Sequence, residues 1–123
     1  MTRTPIEKVG RLLLSLPFVL GGFEAARDPG PRVGQAAAVG VKNPELAVRA
    51  NGIIMVVAGL ALASSRLSRR VAAVLALVLV PTTIAGHAFW KETDSEKRKE
   101  QITHFLKNLA MIGGLMEVMA GRK

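Results

Sequence analysis

Two histidines, a lysine and an asparagine stand inside segments otherwise nearly free of polar side chains. His87 lies near the end of one apolar run, with Trp90 closing it, and His104, Lys107 and Asn108 lie at the start of the next. Between the runs is "KETDSEKRKE", residues 91–100, carrying four positive and four negative charges. Gln101, His104 and Asn108 recur at i, i+3, i+7, the spacing of one helix face, with Glu100 and Lys107 on its edge. At 1.5 Å per residue, Lys107 sits about 10 Å deeper along such a helix than Glu100. Imidazole, ammonium and carboxamide groups beside an apolar slot can hydrogen-bond carbonyl oxygens, which is what a quinone site requires. The same groups can hold a lipid headgroup. His87 and His104 on adjacent helices could also ligate a haem or, with a carboxylate, a zinc ion, but two histidines alone specify neither, and no metal is expected.

Composition narrows the chemistry further. The 123 residues contain no Cys, which removes disulfides, thiolate metal sites and any dithiol relay run by this chain's own side chains. No Gly-rich phosphate loop, Ser/His/Asp arrangement or paired-carboxylate spacing is present, so no catalytic residue is identified and a non-catalytic membrane subunit is favoured over an enzyme. The net charge of +8 is spread over the ends of the apolar runs rather than along one stripe, the punctuation of membrane spans and not the footprint of a nucleic-acid binder. Half the residues are hydrophobic, yet there are only four Phe, one Trp and no Tyr; Ala, Val, Leu, Ile and Gly carry the apolar content, as in membrane helices.

The elements that must position these groups are four apolar runs, at 9–26, 46–63, 71–90 and 102–120. Val71 to Trp90 is 20 residues without a formal charge, matching the roughly 20 needed to cross about 30 Å of hydrocarbon. Glu24, Arg49, Lys107 and Glu117 interrupt the others and either snorkel or are held within a bundle. The expected architecture is all-α, a single domain over 1–123 forming a four-transmembrane-helix up-down bundle, with helices at about 8–27, 44–64, 70–90 and 94–120. A soluble four-helix protein is the competing reading. Asn43-Pro44 predicts the start of the second helix, and Thr93 with Glu96 has capping-box spacing for the fourth. Pro17 and Pro81 fall inside runs one and three, where neighbouring membrane helices can accommodate a kink. Ala110-xxx-Gly114 has small-xxx-small packing spacing. The Gly/Pro-rich connection over 27–45 includes an Ala/Val stretch suited to a membrane surface. The first run resembles a signal-peptide core, but a cut after Ala26 puts Glu24, and a cut after Ala25 puts Phe23, at the upstream recognition position, so it is expected to be retained.

An up-down bundle gathers the end of helix one, the start of two, the end of three and the start of four. Those ends carry Glu24, Arg49, Asn51, His87, Trp90, Gln101, His104, Lys107 and Asn108, a candidate polar pocket in one leaflet, with Glu24 expected to pair with Arg49 or Lys107. Trp90 also suits an interfacial aromatic belt. Lys and Arg tie at eight on each side of the bundle. The acid-free loop "SSRLSRR" and the basic flank of the first run favour termini in the cytoplasm.

"GHAFW" at 86–90 with the charged connection after it, "FLKNLAMIGGLM" at 105–116, "RANGIIMVVAGLAL" at 49–62 and "RLLLSLPFVLGGF" at 11–23 resemble the DoxX family of small bacterial integral membrane proteins. The resemblance implies four transmembrane helices, a multi-pass protein of the bacterial plasma membrane. It also implies a group linked to quinone-connected sulfur oxidation and to membrane oxidoreductase assemblies that handle thiol and oxidative stress. The expected partners are the lipid bilayer and a soluble or membrane redox protein, with further copies of the chain compatible with both. The cofactor expectation is none evident, or a quinone.

Overall fold

The computed structural model describes residues 3–64 and 68–121. Five α-helices form, α1 (Pro5–Arg27), α2 (Pro31–Ala38), α3 (Pro44–Ser64), α4 (Ser68–Gly86) and α5 (Ser95–Met119), with one 3-10 turn at Phe89–Lys91. No strand occurs among the described residues.

Local chemistry sets the ends. Helix α1 starts at Pro5, three residues before the expected position, because Thr4 and Glu7 make a capping box. The Thr4 hydroxyl accepts from Glu7 N at 3.1 Å, and Thr4 N donates to Glu7 Oε1 at 2.9 Å. Asn43 precedes α3 at φ +49°, a left-handed conformation that Asn tolerates, and its carbonyl accepts from Ala47 N. Asp94, not Thr93, caps α5: its carboxylate accepts from Lys97 N at 3.0 Å, where its charge also suits the positive helix end. Helix α4 runs over 68–86 rather than 70–90. Beyond Gly86 the chain leaves the helix and turns at Phe89–Lys91, placing the Phe89 ring edge-on to Phe105 of α5, centroids 5.2 Å apart. Part of the basic connection "SSRLSRR", residues 65–67, and the terminal Arg122 and Lys123 lie outside the described residues.

Buried side chains on α1 are Arg11, Ser15, Phe18, Gly22 and Ala25, one face at helical spacing. Phe18 joins Met55, Ala58 and Leu62 of α3, Ala72, Leu75 and Leu79 of α4, and Leu115 and Val118 of α5 in one core. The helices pack in chain order, α1 on α3, α3 on α4 and α4 on α5, while α2 lies across α3 and α4. The closest approach is between α1 and α3. A Cβ at Gly22 would stand 2.6 Å from the Gly52 carbonyl oxygen, and one at Gly52 would stand 2.5 Å from that of Gly22. Only glycine lets the two backbones meet there. The expected Ala110/Gly114 pair plays no such part: Ala110 is exposed, and Gly114 faces only the Leu14 side chain of α1.

The outside of this bundle is apolar. Leu13, Leu20, Ile53, Val57, Leu77 and Leu106 are all more than half exposed. A belt of that kind has no place in water and fits lipid. Three segments are long and apolar enough to cross a membrane: Pro5–Arg27, Pro44–Ser64 and Ser68–Lys91. Helix α5 has the length, with 25 residues, but His104, Lys107, Asn108 and Glu117 along it, besides its charged start, keep it from joining them on composition.

Candidate functional site

A cavity of about 910 Å³ opens at the end of the bundle where α1 finishes and α5 begins. Its deeper wall is apolar, with Pro17 and Gly21 from α1, Met55 from α3, Leu79 from α4 and Met111 from α5. Its outer part is polar: Asn51, Thr82, His87, Gln101, His104, Lys107 and Asn108 line it, and Glu92, Lys97 and Glu100 stand near its mouth. Helix α2 closes one side, contributing Arg32 and Gln35, between two glycines at positive φ, Gly30 (+47°) and Gly40 (+87°). The Ala/Val stretch expected on a membrane surface is therefore packed over the cavity.

Hydrogen bonds fix the polar wall. Asn108 is buried and donates from Nδ2 to Thr83 Oγ1 at 3.0 Å; Thr83 in turn donates to the Leu79 carbonyl at 2.7 Å. Asn51 donates to Thr82 Oγ1 at 3.1 Å, and Thr82 to the Val78 carbonyl at 2.8 Å. The two threonines thus link α3 and α5 through α4. His87 Nδ1 lies 2.8 Å from Gln101 Oε1. With an amide oxygen on that side, Nδ1 carries the proton, and Nε2 of the neutral ring is an acceptor. The His87 and His104 rings stack, centroids 5.1 Å apart and planes 24° apart. Stacked rings turn their faces, not their nitrogens, toward each other, which is the wrong arrangement for clasping an iron atom between them. Among the described residues, no three His, Cys, Asp or Glu side chains lie together as a metal site would need.

Of the nine residues expected to share a polar pocket, Asn51, His87, Gln101, His104, Lys107 and Asn108 line this cavity, and Glu24, Arg49 and Trp90 do not. Glu24 is exposed, because it lies between Gly22 and Ala25 in sequence and so points about 100° or more away from the buried face of α1. Among the described residues Glu24 pairs with neither Arg49 nor Lys107, and Arg49 takes other partners. Arg49 Nη1 binds the carbonyls of Ala26 at 2.7 Å and Arg27 at 3.3 Å, and its Nε is 3.2 Å from Glu45 Oε2. A cation in this position satisfies carbonyls that the end of α1 leaves open. Trp90 is half exposed and meets Phe89 and Phe105 edge-on, centroids 5.2 and 6.0 Å apart, outside the cavity lining.

Sequence reasoning missed Thr82 and Thr83, because threonine in an apolar run reads as a helix residue that satisfies itself against the preceding turn. Here both do so and still accept a bond from a neighbouring helix. Arg32 and Gln35 were hidden by the Gly/Pro-rich context of α2.

A family model for DoxX matches residues 8–88, the stretch from α1 to the end of α4. This chain belongs to the DoxX family. It is, accordingly, a helical integral membrane protein, as its lipid-suited exterior requires. The match stops just past His87, so the passage at 105–116 that also carried the resemblance lies beyond it. In this DoxX protein the cavity is therefore built from both parts: the matched stretch supplies most of its apolar wall and the Asn51–Thr82 bridge, and α5 supplies Met111, Gln101, His104, Lys107 and Asn108. No curated protein and no solved structure matches the chain.

Proposed function

We propose that this DoxX protein is a membrane component of an oxidoreductase assembly whose cavity takes a quinone. All four long helices cross the bacterial plasma membrane, α5 with its charged turns at the surface and both termini in the cytoplasm. One observation carries the reading: the 910 Å³ cavity is apolar in depth and polar at its outer end, the division a quinone's tail and headgroup demand. The residues fit such a ligand. The Gln101 carboxamide and the Lys107 ammonium are donors for carbonyl oxygens, and the acceptor nitrogen of His87 suits the hydroxyl of the reduced form. A bound quinone supplies two-electron redox chemistry that no side chain of a Cys-free chain offers. The chain's own part is to bind and orient the headgroup and to keep it out of water. Electrons then have to come from a redox protein partner, for which the exposed, charged start of α5 beside the mouth is a suitable contact.

The test is organic extraction of the detergent-purified protein with mass spectrometry of quinones and phospholipids. Quinone is expected to co-purify, and Gln101→Leu and His104→Ala are expected to cut its content at least tenfold while the helix content stays unchanged. Protein that carries phospholipid in the cavity and never quinone would replace the reading with that of a lipid-binding membrane protein.

A further inference from the structure

At the other end of the bundle, Arg11 continues the buried face of α1 set by Ser15, Phe18, Gly22 and Ala25. Its relative exposure is 9%, and its Nη1 is buried with no hydrogen-bond partner among the described residues, the only side-chain nitrogen or oxygen among them in that condition. A buried guanidinium nitrogen with no acceptor is costly, and it calls for an oxygen to bond. The Glu7 carboxylate, one turn away, attracts Arg11 and accepts from Thr4 N in the capping box, yet it gives Nη1 no hydrogen bond. The other charge within electrostatic reach is Arg3, which has the wrong sign.

Arg11 lines a second hollow, of about 550 Å³, between α1 and α5. These two helices are not among the closely packed pairs, and the seam between them is walled by Leu13, Leu14, Gly114 and Val118, with Glu7 and Gly10 beside Arg11. The apolar side of the hollow is thus continuous with the lipid-suited exterior, where Leu13 is 60% exposed. The charges at this end among the described residues are Arg3, Lys8, Arg11, Arg69 and Arg70 against Glu7 and Glu117. Arg11 is six residues into α1, about 9 Å along its axis, a depth from which a long side chain reaches the headgroup layer.

We infer that the α1/α5 seam is a binding site for one anionic phospholipid, its phosphate paired with the Arg11 guanidinium and an acyl chain lying along Leu13, Leu14, Gly114 and Val118. The guanidinium fork matches two phosphate oxygens at once, the strongest pairing open to it. The basic surplus around it selects a net-negative headgroup over a zwitterionic one. This site is separate from the quinone cavity and stands or falls without it.

The experiment uses the full chain purified and delipidated in mild detergent, then titrated with phosphatidylglycerol, phosphatidylcholine or inorganic phosphate, and read by native mass spectrometry and thermal unfolding. Phosphatidylglycerol is expected to bind one to one and raise the unfolding temperature, phosphatidylcholine to bind at least tenfold more weakly, and phosphate alone to give no shift. Arg11→Met is expected to fold, since it replaces a buried unpaired charge with an apolar group of similar length, and to lose at least tenfold in phosphatidylglycerol affinity. Arg11→Lys is expected to retain binding within a few-fold, because the charge stays. Equal binding of phosphatidylglycerol by the Arg11→Met variant, equal affinity for the two lipids, or a full shift from phosphate alone would overturn the inference. So would cross-linking that places a second copy of the chain in the seam.

Discussion

Asn108 of α5 and Thr83 of α4, both buried, meet through a hydrogen bond of 3.0 Å at the wall of the cavity. Thr83 donates to Leu79 at the same time, so the pair ties the helix outside the DoxX match to the helices inside it. A double-mutant cycle with Asn108→Ala and Thr83→Val should return a coupling of about 0.6–1.7 kcal/mol, the range of hydrogen bonds between membrane helices. Equilibrium unfolding in mixed micelles measures it, and additive single effects would show that the bond contributes nothing.

The backbone contact between Gly22 and Gly52 makes a sharper demand. Each added Cβ would come within 2.6 Å of a carbonyl oxygen on the other helix, so α1 and α3 must separate to admit it. Gly52→Ala should therefore cost about 1–3 kcal/mol, as overpacking does. Gly113→Ala, where a Cβ meets nothing within 4 Å, should be neutral or stabilising by up to about 1 kcal/mol. The same unfolding assay reports both, and equal losses at the two positions would contradict the close approach.

Arg49 serves α1 from α3. Arg49→Met removes a charged donor from two terminal carbonyls and should destabilise the protein by about 1–3 kcal/mol, with faster hydrogen exchange in the last turn of α1. Removing its other partner through Glu45→Gln should cost no more than about 0.5 kcal/mol, because that pair is on the surface and one helix turn apart.

The single Trp reports on the connection between α4 and α5. Trp90 and Phe89 both pack edge-on against Phe105, so Phe105→Ala should shift the Trp emission to the red and destabilise the protein by about 1–3 kcal/mol. An unchanged spectrum would mean that the cluster does not hold Trp90.

Much of this arrangement is legible in the residues. The i, i+3, i+7 spacing of Gln101, His104 and Asn108 places them on one face, and chain reversal at the charged connection brings that face to His87. Glu24 and Arg49 were not legible. A charge inside an apolar run announces that it needs a partner, not which one, and Arg49 found backbone carbonyls, which carry no sequence label. The start of α5 turned on Asp94 against Thr93, adjacent residues that both cap well, with the ionised one preferred by the helix end. Arg11 looked like one more flanking charge; only the phase of α1 reveals that it points inward.

Packing in chain order has a consequence for how the molecule is made. Each long helix leans on the one synthesised before it, so every new segment arrives at a partner already in place. The first and last helices meet only lightly, as where Leu14 faces Gly114, so the longest loop closure of the chain can come last, after the neighbouring pairs have formed.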